Sequence, residues 1–298
     1  MPLPTFIVIG VARAATTSVH AYAAQHPDVF MSPVKETNYF SFFGRPPAFR
    51  GPGDASMVNR ESIYDRDEYL ALFEAAPAGI GAIGEASPRY MVTPETPERI
   101  ASVIPGCRLV VGLRHPVDRA FSHWAWARMT GRETLSFEEA IDAEDERRAE
   151  GWGWGDYMGR GFYSAQLQRY LEVFPRDQIH AYLFEDFEAD PIGEMQRVFE
   201  FIGVDDGFTP DVSSRPNSAG AISNPVVRSL WRGSSRIRDL IRPLLPRRWR
   251  TAAFRYVTRR TEAPRLDPDV RQRLTDRFRN DIVATAELMD LDLDSWLR

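Results

Sequence analysis

The chain holds one cysteine, Cys107, in 298 residues. A single thiol excludes an internal disulfide and any cysteine-rich metal site, and its place at the head of an apolar run predicts a buried, structural sulfur. Long apolar runs are missing as well: none approaches the roughly 20 residues needed to span a bilayer. Met1-Pro2-Leu3-Pro4-Thr5 has no basic segment and leads straight into an apolar run, so no secretory leader is expected and a cytoplasmic location is. No linker long enough to separate domains occurs. Nor is there a positive excess: the formal net charge of −5 speaks against a generic nucleic-acid binder. What is present is ample core material, 43% apolar residues and seven tryptophans, in a length that suits one α/β domain spanning 1–298.

The chain is organised around Phe6–His26. Phe6-Ile7-Val8-Ile9 is apolar on both faces, as a strand buried in a parallel sheet must be. Gly10 ends it, the small-residue loop Val11-Ala12-Arg13-Ala14-Ala15 follows, and Thr16-Thr17-Ser18 is placed to cap and begin a helix that Pro27 stops. A strand, a tight loop and a helix N-terminus form an anion-binding device, because unpaired N–H groups and the positive dipole end converge. Gly10, Ala15, Thr16 and Thr17 occupy the four fixed positions of the nucleotide P-loop. The second glycine is alanine, however, and the lysine is threonine; the cation sits inside the loop as Arg13. The spacing indicates phosphate, and the side chains argue against ATP.

Further strands are expected at 80–85, 108–113 and 179–184, and helices at 65–76, 94–104, 163–174, 191–202 and 267–289, with a solvated acidic helix at 138–150. Residues 30–40 read as a short extended segment and 44–60 as a surface loop. Arg114 follows the 108–113 strand at its carboxyl end, where open α/β sheets bind ligands. Pro116 suits the first position of the next helix; Val117, Phe121 and Trp124 mark its apolar stripe, which leaves Asp118 and Ser122 on another face. The fold class is therefore α/β, a P-loop-like single domain whose parallel sheet is flanked by helices. A basic helical or loop extension is expected at 215–265, where eleven arginines stand between 228 and 260 with Asp239 the only acid. It is either a solvated face or a peripheral contact for an anionic surface.

Several segments together resemble the sulfotransferases that use 3′-phosphoadenosine 5′-phosphosulfate (PAPS). Gly10-Val11-Ala12-Arg13-Ala14-Ala15-Thr16-Thr17-Ser18 is similar to the family's phosphosulfate loop. Arg114 and Ser122, eight residues apart, resemble its 3′-phosphate pair. Glu36, ahead of Tyr39-Phe40, resembles the glutamate base of the heparan-sulfate-type branch. Gly84-Glu85-Ala86-Ser87-Pro88-Arg89-Tyr90 and Arg160-Gly161-Phe162-Tyr163 also look like that branch. Ala15 and Arg13 depart from the usual glycine and lysine. Asn38 and Ala86 stand where that branch often has His and Lys, so glycosaminoglycan is not carried over as the acceptor.

The resemblance implies sulfuryl transfer from PAPS to a hydroxyl of a small-molecule, sugar or lipid-linked acceptor, with no metal required. Arg13 and the loop residues Ala14, Ala15, Thr16, Thr17 and Ser18 would hold the phosphosulfate, Arg114 and Ser122 the 3′-phosphate, and Glu36 would take the acceptor proton. Glu85 and Asn38 are weaker substrate candidates. Bland alternatives stand beside these: Glu36 pairs with Lys35, Arg114 forms a strand-end salt bridge, Ser122 bonds its own helix, Glu85 caps a turn. His115 and His123 are rival bases. Rival functions are a P-loop kinase, which needs lysine at position 16 and a Mg²⁺ ligand such as Glu185 or Asp186, and a non-catalytic nucleotide-binding module docked on an anionic surface.

Overall fold

A strand with no polar face needs cover on both sides, and Phe6–Gly10 (β1) obtains it at the centre of a five-stranded sheet. The computed structural model describes residues 2–213 and 264–298. The other strands are Val29–Met31 (β2), Ala82–Ala86 (β3), Arg108–Leu113 (β4) and Ile179–Leu183 (β5). Their order is β2-β3-β1-β4-β5, and every pairing is parallel. Phe6 and Val8 pack on one face against Val19, Tyr22 and Phe199. Ile7 and Ile9 pack on the other, with Ile100, Val117, Leu167 and Phe278. Period-two alternation thus feeds two cores, each roofed by helices.

The chain crosses β1 between β3 and β4, so the carboxyl ends of these three strands open on one crevice, the usual ligand position in such sheets. Helices Thr16–Ala23 and Pro191–Ile202 cover one face. Pro116–Met129, Tyr163–Leu171 and the C-terminal Pro268–Met289 cover the other. Cys107 is fully buried, and burial pushes its thiol well up.

Three local expectations need correction. Residues 138–150 form two helices, Phe137–Asp142 and Glu144–Ala149, and the second is solvated on one side only: Glu144 and Arg147 are buried, and Arg147 grips Glu133 through two bonds of 2.7 and 3.0 Å. Residues 44–60 are not simply a surface loop, because Asp54 is fully buried and one of its oxygens accepts the Gly51 and Gly153 amides, each at 2.8 Å. The first helix ends at Ala23, short of His26, and its cap is Ala15 rather than a hydroxyl. The Arg-rich 228–260 stretch lies outside the described residues.

Glu85 is also corrected. It neither faces a substrate nor caps a turn; it is fully buried near the end of β3. Thr37 and Ser87 donate to its Oε2 at 2.8 and 3.0 Å, and Tyr90 and Tyr69 to its Oε1 at 2.7 and 3.1 Å. Burial pushes the carboxyl above its usual range, against these four donors. Removing the acceptor would leave the Tyr69 hydroxyl without its bond and Thr37, Ser87 and Tyr90 with little beyond one another, and each buried polar group left unsatisfied costs about 1–3 kcal/mol. Glu85→Ala is therefore expected to lower the unfolding free energy by at least about 3 kcal/mol in urea titrations. A loss under roughly 1 kcal/mol would show that water replaces the carboxylate.

Candidate active site

The Gly10–Ala15 loop is pinned from several sides. The Val11 amide donates to Gly112 O at 2.8 Å, and the Tyr182 hydroxyl donates to Ala14 O at 2.7 Å. Gly112 makes the second bond possible, since a Cβ there would stand 2.3 Å from the Tyr182 ring. Arg114 Nη1 donates to Arg13 O at 3.0 Å, and Arg13 Nε donates to Ser122 Oγ at 3.1 Å. The two sequence segments that resemble the two phosphate sites are thus joined directly.

Ala15 turns the chain into the helix with φ 59°, and no side chain caps the first turn. The positive end of the helix dipole at that turn faces a cavity of about 550 Å³. Arg13, Thr16, Thr17, Ser18, Glu36 and Arg114 all line it, as do Ala15 and Asn38. Ala14 does not. It is fully buried, with its N–H on Val11 O and its carbonyl under Tyr182, so it shapes the loop instead of holding a ligand. Ser122 stands behind the lining as the acceptor for Arg13.

Among the described residues, neither Arg13 nor Arg114 forms an ion pair. Arg114 lies over the Phe184 ring, 4.1 Å from its centroid. Asp118, one turn away, is taken by Arg271 at 3.1 Å, and Glu185 accepts the His115 amide. Burial lowers the Arg114 pKa; burial and then the neighbouring Arg114 and Arg119 lower that of Arg13. Such cations are poised for an anion.

Glu36 reaches the cavity from the segment after β2. Its amide donates to Ala86 O at 2.8 Å, and its φ is 63°. The side chain is 57% exposed and meets Lys35 Nζ at 2.6 Å, so the expected ion pair exists and does not remove Glu36 from the cavity. Asn38 is a framework residue that also lines the cavity: its Nδ2 donates to Ser62 Oγ and its amide to Ser87 Oγ.

The rival bases fare differently. His115 is buried, its Nε2 lies 3.1 Å from Trp296 O, and burial holds its pKa at about 4. His123 lines the cavity, but burial and then Arg160, Arg119, Arg13 and Arg132 drive its pKa well down. An imidazole in that field is a poor proton acceptor. His26, between Phe199 and Phe208, is structural.

Sequence reasoning gave Lys35, the chain's only lysine, nothing beyond its pairing with Glu36, and no role to Arg89 and Arg160 although it quoted both. Arg132, Trp126 and Trp154 line the same cavity; nothing in their local sequence marks them.

Comparison with known proteins agrees with this geometry. The sulfotransferase family profile matches residues 4–210. A solved sulfotransferase from Alicyclobacillus acidocaldarius is 32% identical, with a TM-score of 0.80 and 100% of both chains covered. The human bifunctional heparan sulfate N-deacetylase/N-sulfotransferase 2 is 24% identical over 68% of this chain and 22% of its own. The mouse heparan sulfate glucosamine 3-O-sulfotransferase 3A1 is 29% identical over 68% of this chain and 46% of its own. The chain thus spans less than half the length of these two curated relatives. It belongs to the sulfotransferase family, and the kinase alternative falls.

Four of the six non-glycine residues with positive φ among those described, Arg13, Ala15, Glu36 and Asn38, line this cavity. An L-residue held there costs about 1–2 kcal/mol, and glycine at the same place costs less. Ala15→Gly is expected to raise stability by roughly 0.5–1 kcal/mol after glycine's own entropy loss, read as a higher urea midpoint with unchanged slope. A lower midpoint would mean that the Ala15 methyl packs more usefully than its backbone strains.

Proposed function

We propose that this chain moves a sulfuryl group from PAPS to a hydroxyl of a small-molecule, sugar or lipid-linked acceptor. The observation that carries the reading is that one cavity holds an anion cradle, Arg13 and Arg114 beside an uncapped helix N-terminus, together with the Glu36 carboxylate. The donor brings the group to be transferred. In the transfer the acceptor oxygen bonds to sulfur, the bridging sulfur–oxygen bond breaks, and 3′,5′-bisphosphoadenosine (PAP) leaves.

The residues present suit such a donor. Arg13 and the first-turn amides at Thr16 and Thr17 would neutralise charge growing on the leaving phosphate oxygen, where preorganised donors contribute most. Arg114 would hold the second phosphate, with Ser122 keeping Arg13 in place. Phe184, Phe187 and Tyr22 line the same cavity and offer flat apolar surface for a base. Glu36, exposed beside this cradle, would accept the hydroxyl proton. The non-catalytic alternative leaves this carboxylate without a purpose. No helix among the described residues is long and apolar enough to cross a membrane.

Two outcomes test the reading. With PAPS and a panel of hydroxylated and amine acceptors, PAP release should be seen. Glu36→Gln, which keeps shape but loses the proton acceptor, should cut kcat by at least about 10²-fold with donor affinity near wild type. Full turnover in Glu36→Gln together with its loss in His123→Ala would move the base to imidazole. Separately, Arg114→Ala should weaken PAP binding by about 1.5–3 kcal/mol in calorimetry, as expected for a charge-assisted contact. Unchanged affinity in a folded variant would take Arg114 out of the donor site.

A further inference from the structure

The cavity has an end that the donor does not account for. Arg89, Arg132 and Arg160 line it with His123, Trp126 and Trp154. Arg89 and Arg160 come from segments 71 residues apart, yet their Nη2 atoms donate to the same acceptor, the Gly153 carbonyl, at 2.9 and 2.7 Å. Two guanidinium groups on one neutral oxygen repel each other, and the repulsion is strong where water is scarce.

Compensation inside the protein is incomplete. Asp54, the carboxylate whose field reaches all three arginines, is joined by Asp156 and Glu144 at Arg160 and by Glu61 at Arg132, but none of these forms an ion pair with them among the described residues, and Asp54 spends one oxygen on the Gly51 and Gly153 amides. Arg160 Nε is buried with no hydrogen-bond partner, and Arg132 lies flat over Trp126, 4.8 Å from the ring centroid. Burial and then Arg160 bring the Arg89 pKa down to about 9, as expected for a cation short of counter-charge. Arg89 and Arg160 also line a second cavity of about 240 Å³ beside Phe49 and Trp152. Glu36 lines the same cavity and acts electrostatically on both Arg13 and Arg89.

We propose that Arg89, Arg132 and Arg160 are specificity-determining residues that bind an oxyanion carried by the acceptor itself, away from the hydroxyl that Glu36 deprotonates. The inference rests on the sulfuryl-transfer reading. A carboxylate and a sulfate ester share the required chemistry: a compact negative group with acceptor lone pairs for the guanidinium N–H groups. Trp126 and Trp154 give the body of such an acceptor apolar walls. A neutral acceptor would leave the burial cost of three cations without return.

The test uses the full chain saturated with PAP, which closes the donor cradle to other anions. Binding of 3-phenylpropanoate, 2-phenylethyl sulfate and the neutral 3-phenylpropanamide is compared by calorimetry. At least one oxyanion should bind about tenfold or more tightly than the amide; whichever does identifies the group. That preference should fall to within about twofold in Arg89→Gln and in Arg132→Gln, with PAP affinity unchanged in both. Arg89 packs on Phe42 and Phe49, so Arg132→Gln decides if the first variant fails to fold. No preference in the wild type, or one that persists in the folded variants, overturns the proposal. Failure of PAP itself to bind strikes the donor reading, whereas the oxyanion-to-amide ratio judges this one alone.

Discussion

A carboxylate sealed from water, Glu85, stands where the segments that build the site meet. Its four donors come from the strand-to-loop segment at Thr37, from the turn after β3 at Ser87 and Tyr90, and from Tyr69. The bond series runs on: the Asn38 amide donates to Ser87 Oγ, which donates to Glu85 Oε2. Glu36 and Asn38, on either side of Thr37, both hold positive φ. Strained backbone persists only where its surroundings over-determine it. Glu85 supplies that determination, so a buried group that touches no ligand governs where the exposed carboxylate can be.

The second constraint is electrostatic and reaches the far end of the chain. Arg114 is available to an anion because Asp118 is held elsewhere, by Arg271 on the C-terminal helix. Asp281 of the same helix accepts the amides of Tyr163 and Ser164, and Tyr163 in turn donates its hydroxyl to Arg114 O. A helix that contributes no residue to the cavity lining thereby helps fix the position of a residue that does and holds the carboxylate one turn from it. Buried like charges destabilise a fold, and their concentration on one cavity is intelligible as preparation for anionic ligands.

How legible this was in the sequence follows from the range of each interaction. β1 and β4 announced themselves as short apolar runs, because two-sided burial leaves almost no polar position to confuse the period, and β5 was still readable although it is an edge strand with three of its five residues half-buried. The loop was readable because Gly10, Ala15 and Thr16 keep a fixed spacing, and Arg114 because it follows a strand directly. The role of Glu85 was not readable: its partners lie up to 48 residues away, and no local pattern says that two tyrosines, a threonine and a serine will converge. Asp54 was hidden in the same way, since the turn it supports at Gly153 is 99 residues distant. The helix cap was misread because hydroxyl residues at 16–18 satisfy the local rule, whereas Ala15, in an αL turn, takes the cap position and brings no side-chain bond to it.

That open cap bears on the choice of base. A helix N-terminus without a capping side chain and with two unpaired arginines beside it makes a strongly positive field at one end of the cavity. A neutral imidazole placed in that field becomes harder to protonate, and His123 lies within it. Glu36 lines the same cavity from its solvent side, 57% exposed and in contact with Lys35. On the proposed reading, the arrangement that prepares the cavity for an anionic donor also counts against histidine as the base and leaves that role to Glu36. Donor recognition and proton abstraction are, on this argument, two consequences of one charge distribution.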